Sequence, residues 1–94
     1  MAKFILFHPL PAPTELAQVE LVAKLAKRYS GADAYWISSW VQLNAQGKVN
    51  RIVCEWDAKD TATLDALIKK MVQEIPVPVE GPYPMIKVEG ETYR

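Results

Sequence analysis

One cysteine, one histidine and two phenylalanines are all that the 94-residue chain holds of those types. A single thiol forms no internal disulfide, so nothing points to a stapled secreted scaffold. It also cannot supply the cysteine cluster that an iron–sulfur protein needs. A single histidine leaves no histidine spacing motif of the kind that holds transition metals. Net charge is missing as well. Eleven basic residues cancel eleven acidic ones, which leaves no electrostatic footprint for nucleic acid or an anionic membrane. No apolar run approaches the roughly 18 residues that span a bilayer. The N-terminal MAKFILFHPLPAP has one lysine and a short apolar run cut off by prolines, too short for a signal-peptide core. These absences predict a soluble, cytoplasmic protein with no nucleic-acid or membrane partner.

What is present is a single small domain, residues 1–94, half of it hydrophobic. Its organising stretch is Ala34–Ala58, which holds all three tryptophans and the only cysteine. It reads as two strands, Tyr35–Val41 and Val49–Asp57, joined at Asn44–Gly47 with Gly47 suited to positive φ. If Leu43 pairs with Val49, Trp36 faces Trp56 and Ser38 faces Cys54. If Leu43 pairs with Lys48, Trp36 and Trp40 share a face with Glu55 and Arg51. In both registers period 2 puts Trp36, Ser38 and Trp40 on one face and Tyr35, Ile37 and Val41 on the other.

Before this stretch, Lys3–His8 is a strand. Its apolar residues run without alternation, which implies that both faces are covered. Prolines 9, 11 and 13 end it. Thr14 is the expected N-cap of a helix to Tyr29, with an apolar stripe from Leu16 through Val19, Val22 and Ala26, and Gly31 is its expected left-handed C-cap. After it, Asp60 caps a second helix carrying Leu64, Leu67, Ile68, Met71 and Ile75 on one stripe until Pro76 stops it. Tyr83–Val88 is the last strand. Pro82 and Pro84 remove N–H groups on the same side of the backbone, which places it at a sheet edge. The residues from Gly90 read as a tail.

The order βαββαβ predicts an α+β, ferredoxin-like sandwich: a four-stranded antiparallel sheet of order 4-1-3-2 with both helices on one face. The other face is then an open apolar and aromatic surface larger than monomers usually expose. A partner sheet packed on it, in a symmetric homodimer, is the economical cover.

The candidate ligand-binding set is Trp36, Trp40, Trp56 and Tyr83 as aromatic walls, with His8, Arg51 and Glu55 as polar or titratable members. An aromatic cavity with few polar groups is the form of a small-molecule pocket; the same rings equally suit a dimer interface. They lack the pattern of an RNA-recognition motif and a basic surround. His8 and Cys54 are the candidate metal ligands within one chain, and no catalytic residue is nominated. With Phe4 or Ile5 opposite Cys54, His8 sits on the order of 10 Å from the thiol, beyond reach for a nucleophilic pair.

Three local features resemble a known group. The first strand closes on His8. The third ends in Cys54-Glu55-Trp56-Asp57-Ala58 with Asp60 opening a helix. The last follows Pro78-Val79-Glu80-Gly81-Pro82-Tyr83. Together they resemble the dimeric α+β barrel superfamily, nearest to a family of small bacterial domains of unknown function that includes a nickel-binding protein. The resemblance implies a homodimer with a ligand-binding or sensing cavity between sheets. Its alternatives are a cofactor-independent isomerase or small monooxygenase with His8 or Glu55 as base, and nickel bound through His8 and Cys54 of both subunits. The stretch Leu67–Met71 has no histidine where many members carry them.

Overall fold

The strand–helix–strand–strand–helix–strand order holds in the computed structural model, which describes residues 1–94. The elements are β1 (Ala2–Thr14), α1 (Leu16–Tyr29), β2 (Ala34–Leu43), β3 (Val49–Ala58), α2 (Thr61–Glu74) and β4 (Glu80–Met85), followed by a 3₁₀ turn at Gly90–Tyr93. All pairings are antiparallel. The sheet order is β2-β3-β1-β4, which is 4-1-3-2 read from the other edge. The fold is α+β, in a ferredoxin-like arrangement.

Alternation decides which side the helices cover. Phe4, Leu6 and His8 of β1 are buried, as are Ile52, Cys54, Trp56 and Ala58 of β3. They form one core with Val19, Leu25 and Ala26 of α1 and Leu64, Ile68 and Met71 of α2, so both helices lie on this face. Burying a side chain such as Phe4 or Trp56 contributes about 2–3 kcal/mol. The opposite face, with Lys3, Ile5, Phe7, Val53 and Glu55, is only half-buried.

Local chemistry explains most element ends. Asp60 accepts a 2.7 Å hydrogen bond from the Thr63 N–H and caps α2. The hairpin turns on Gly47 at φ +75°, and Asn44 Oδ1 accepts from the Gln46 and Lys48 N–H groups. Other ends depart from the sequence expectation. Thr14 does not cap α1. It closes β1, its hydroxyl bonds the Ala12 carbonyl, and Glu15 occupies the cap with no side-chain bond. Gly31 is not left-handed; Ser30 ends the helix, its N–H reaching the Ala26 and Lys27 carbonyls. β1 runs past Pro9 to Thr14, where it pairs once more with β3 at Val49 after a register shift that leaves residues 10–13 without a β3 partner. β4 starts at Glu80, not Tyr83, and stops at Met85. Its first turn depends on Gly81 at φ +104°, where a Cβ would stand 2.9 Å from the Ile5 carbonyl oxygen.

The largest departure is in the hairpin. Leu43 pairs with Val49 and Trp36 with Trp56, yet between them Ser38 pairs with Glu55, Ser39 with Cys54 and Trp40 with Val53. Ile37 is an extra residue in β2 and Asn50 one in β3, so the register steps out and back. A bulge breaks period 2. Trp36 therefore shares the helix-side face with Trp56, while Ser38 and Trp40 lie on the open side with Glu55 and Val53. The expected grouping of Trp36, Ser38 and Trp40, and of Tyr35 with Val41, does not hold.

Candidate functional site

The bulge divides the nominated residues between two surfaces. Trp40, Tyr83, Arg51 and Glu55 are on the open face. Trp36, Trp56 and His8 are on the helix side, beside Cys54.

On the open face, β1 and β3 set a polar centre. Lys3 Nζ lies 2.5 Å from Glu55 and 2.6 Å from Asp57. Hydrogen bonding to Asp57, then to Glu55, holds the Lys3 amine above its ordinary pKa, and Lys3 holds Asp57 below its own. The Tyr35 hydroxyl donates to Asp57 at 3.2 Å, and Ser38 to Glu55 at 3.4 Å. Around this centre the Arg51 guanidinium sits 4.5 Å over the Phe7 ring, and Phe7 meets Tyr83 at 6.0 Å between centroids. Trp40 is 63% exposed, and Tyr35, Ile37, Tyr83 and Met85 are exposed with it. A shallow hollow of ≈240 Å³ lies among Lys3, Ile5, Trp40, Glu55, Met85 and Ile86.

The helix side holds a more enclosed space. The C-terminal end of α1 is tied down: Glu74 of α2 accepts from both Arg28 and Tyr29, and Ser30 Oγ accepts from the Trp36 backbone N–H at 2.9 Å. At the N-terminal end the tie is an exposed ion pair, Glu15 with Lys48 of the hairpin turn at 2.8 Å, and it sits at the rim and not over the sheet. A cleft of ≈210 Å³ opens there, walled by Leu16, Val19 and Ala23 of α1 and by Trp36, Val41 and Cys54 of the sheet. At its floor the Trp36 indole N–H donates to Ser39 Oγ at 2.9 Å, and the Ser39 hydroxyl donates to Cys54 Sγ at 3.1 Å. Burial pushes the Cys54 thiol up, against the Ser39 bond, so the sulfur is a protonated acceptor rather than a nucleophile.

His8 is 5% exposed, with its Nδ1–H donating to the Pro78 carbonyl at 2.9 Å. Burial depresses its pKa, only partly offset by that bond. Leu6, not Phe4 or Ile5, pairs with Cys54. His8 is therefore two residues from that position and on the same face, about 7 Å away by strand spacing. Both line a space of only ≈20 Å³ beneath α2. Nowhere do three or more His, Cys, Asp or Glu side chains gather as a metal cage would require. Trp56, 1% exposed, is core.

Leu16 and Val41 are not among the residues the sequence nominates for a site, and Ser39, within strand reach of the tryptophan indoles, is the partner that Trp36 takes. One signal was available: Ser38-Ser39 is an adjacent polar pair inside a strand, and period 2 cannot place both on one face. No protein-family model matches the chain, and no curated protein matches it.

Proposed function

We propose that this protein binds a small molecule in the cleft between α1 and β2, and that it works as a homodimer. The observation that carries the binding reading is the cleft: a concave apolar space with a few placed polar groups, the form that ligand sites take. Its ≈210 Å³ suits a fragment-sized molecule. Trp36 is then a pocket wall. Trp40, Tyr83, Arg51 and Glu55 belong to the surface on which a second copy packs.

Support for the dimer comes from the open face. Its exposed Tyr35, Ile37, Trp40, Tyr83 and Met85 surround Lys3, Glu55 and Asp57, which are paired within the chain. Covering them strands none of the three, and Arg51, stacked on Phe7, is the one cation there that a second copy must meet with an acceptor. The resemblance to dimeric α+β barrels agrees with this. Light scattering at micromolar concentration is expected to give twice the 10.6 kDa chain mass; a monomer would sink the dimer. For the cleft, a fragment library is screened by NMR on the ¹⁵N-labelled protein. Saturable shifts of the Trp36 indole signal are expected, and a signal unmoved by every fragment removes the reading.

A second reading places the ligand between two packed sheets. The ≈240 Å³ hollow beside Trp40 favours it, with Glu55 and Lys3 in its wall. Isomerase or monooxygenase chemistry gains less support: Glu55 is engaged by Lys3, and the space beside His8 is too small for a substrate. Nickel would have only His8 and Cys54 of one chain within a common space.

A further inference from the structure

We infer that the cleft selects an uncharged, one- or two-ring apolar molecule, a hydrocarbon-like ring system without strong hydrogen-bonding groups. This rests on the reading of the cleft as the ligand site and adds its selectivity. Three observations carry it. The first is size. A closed apolar cavity of about 150 Å³ is enough to hold benzene, and the ≈210 Å³ here leaves room for substituents or a second small ring.

The second is the wall. Nine of the eleven lining residues are hydrophobic, and the exceptions are Ser39 and Glu20. Glu20 stands on the exposed side of α1, at the mouth. A carboxylate there repels an anion; a cation can pair with it only at the mouth, and the interior beyond holds no charge to offset that cation's desolvation.

The third is the floor. The strong donors that reach it are the Trp36 indole N–H and the Ser39 hydroxyl, and both protons are already committed, one to Ser39 Oγ and the other to Cys54 Sγ. A ligand carbonyl or carboxylate entering the cleft gives up its water and finds at most the weak Cys54 S–H in exchange, a one-sided loss. A ring with no acceptor loses nothing there and removes apolar surface from water. Selectivity of this kind comes from what the site withholds.

The test uses the ¹⁵N-labelled full chain with three probes of similar size: toluene, acetophenone and p-toluate. Toluene is expected to shift the Trp36 indole cross-peak saturably and leave that of Trp40 in place. Acetophenone is expected to bind roughly tenfold more weakly or worse, and p-toluate not at all. Ala23→Leu fills the cleft from the helix side and is expected to abolish toluene binding. Leu16→Trp narrows the exposed mouth and serves if the first variant does not fold. Acetophenone or p-toluate binding as tightly as toluene overturns the selectivity and leaves the site standing. Toluene binding that survives either filled variant overturns its placement. A Trp36 signal that none of the three probes moves removes the selectivity and the cleft reading together.

Discussion

Trp36 and Trp40 lie four residues apart on one strand and on opposite faces of the sheet, because Ile37 is an extra residue between their registers. The two rings therefore answer to different surroundings. Trp40→Ala is expected to shift the protein from dimer to monomer in light scattering, with its urea midpoint as a monomer little changed. Trp36→Ala is expected to keep the dimer and lose about 2–3 kcal/mol of stability in urea denaturation, at the low end for a truncated ring because the residue is only half-buried. The reverse assignment of effects would mean that the bulge is misplaced.

The adjacent serines should differ as sharply. Ser39→Ala leaves the Trp36 indole N–H without its acceptor and costs about 1–3 kcal/mol, read by denaturation together with a displaced indole cross-peak. Ser38 makes only a long 3.4 Å contact to Glu55 on the open face. Ser38→Ala is expected to fall within about 0.5 kcal/mol of the parent. Equal costs would dissolve the proposed floor of the cleft.

His8 makes stability depend on pH in a defined direction. Burial holds its folded pKa below the ordinary 6.5. As pH falls below 6.5, the unfolded chain takes up a proton that the folded chain resists. Stability contributed by the neutral ring is thus complete above pH 6.5 and declines as pH drops from there toward the lowered folded value. Urea midpoints measured between pH 7.5 and 5.5 should fall for the parent and stay nearly flat for His8→Phe. A parent profile as flat as the variant's would show that the ring is not sequestered.

Two glycines give opposite results. Gly81→Ala drives a Cβ to 2.9 Å from the Ile5 carbonyl oxygen at a positive φ and is expected to cost about 2 kcal/mol or more. Gly31 has nothing within 4 Å of a built Cβ and no positive φ. Gly31→Ala is expected to be neutral or slightly stabilising. Thermal melts of the two variants check this, and a tolerant Gly81 would contradict the register of β4.

Where structure is local, the sequence announces it. Asp60 caps the helix it precedes, Gly47 takes the turn, and Pro82 and Pro84 mark an edge strand, since each effect acts within a few residues. The element order follows, and with it the sheet. The bulges at Ile37 and Asn50 depend on how two strands meet, and no property of one strand alone sets that. Their consequence is large for the site. Strict alternation groups Trp36 with Trp40, whereas the folded hairpin sends one toward α1 and the other away from it. The persistence of β1 beyond Pro9 has a similar origin: proline weakens a strand, but the neighbour decides whether pairing resumes.

Ile37 has one more effect, on how copies can meet. β2 and β4 are the rims of the sheet. On β4, two prolines interrupt the row of outward N–H groups; on β2, an unpaired extra residue bends the backbone out of line. Neither rim offers a straight ladder for another chain to zip onto. Growth by adding strand to strand is disfavoured at both ends, which leaves the broad open face as the surface a second copy would use, and an assembly made that way would terminate instead of lengthening into a fibre.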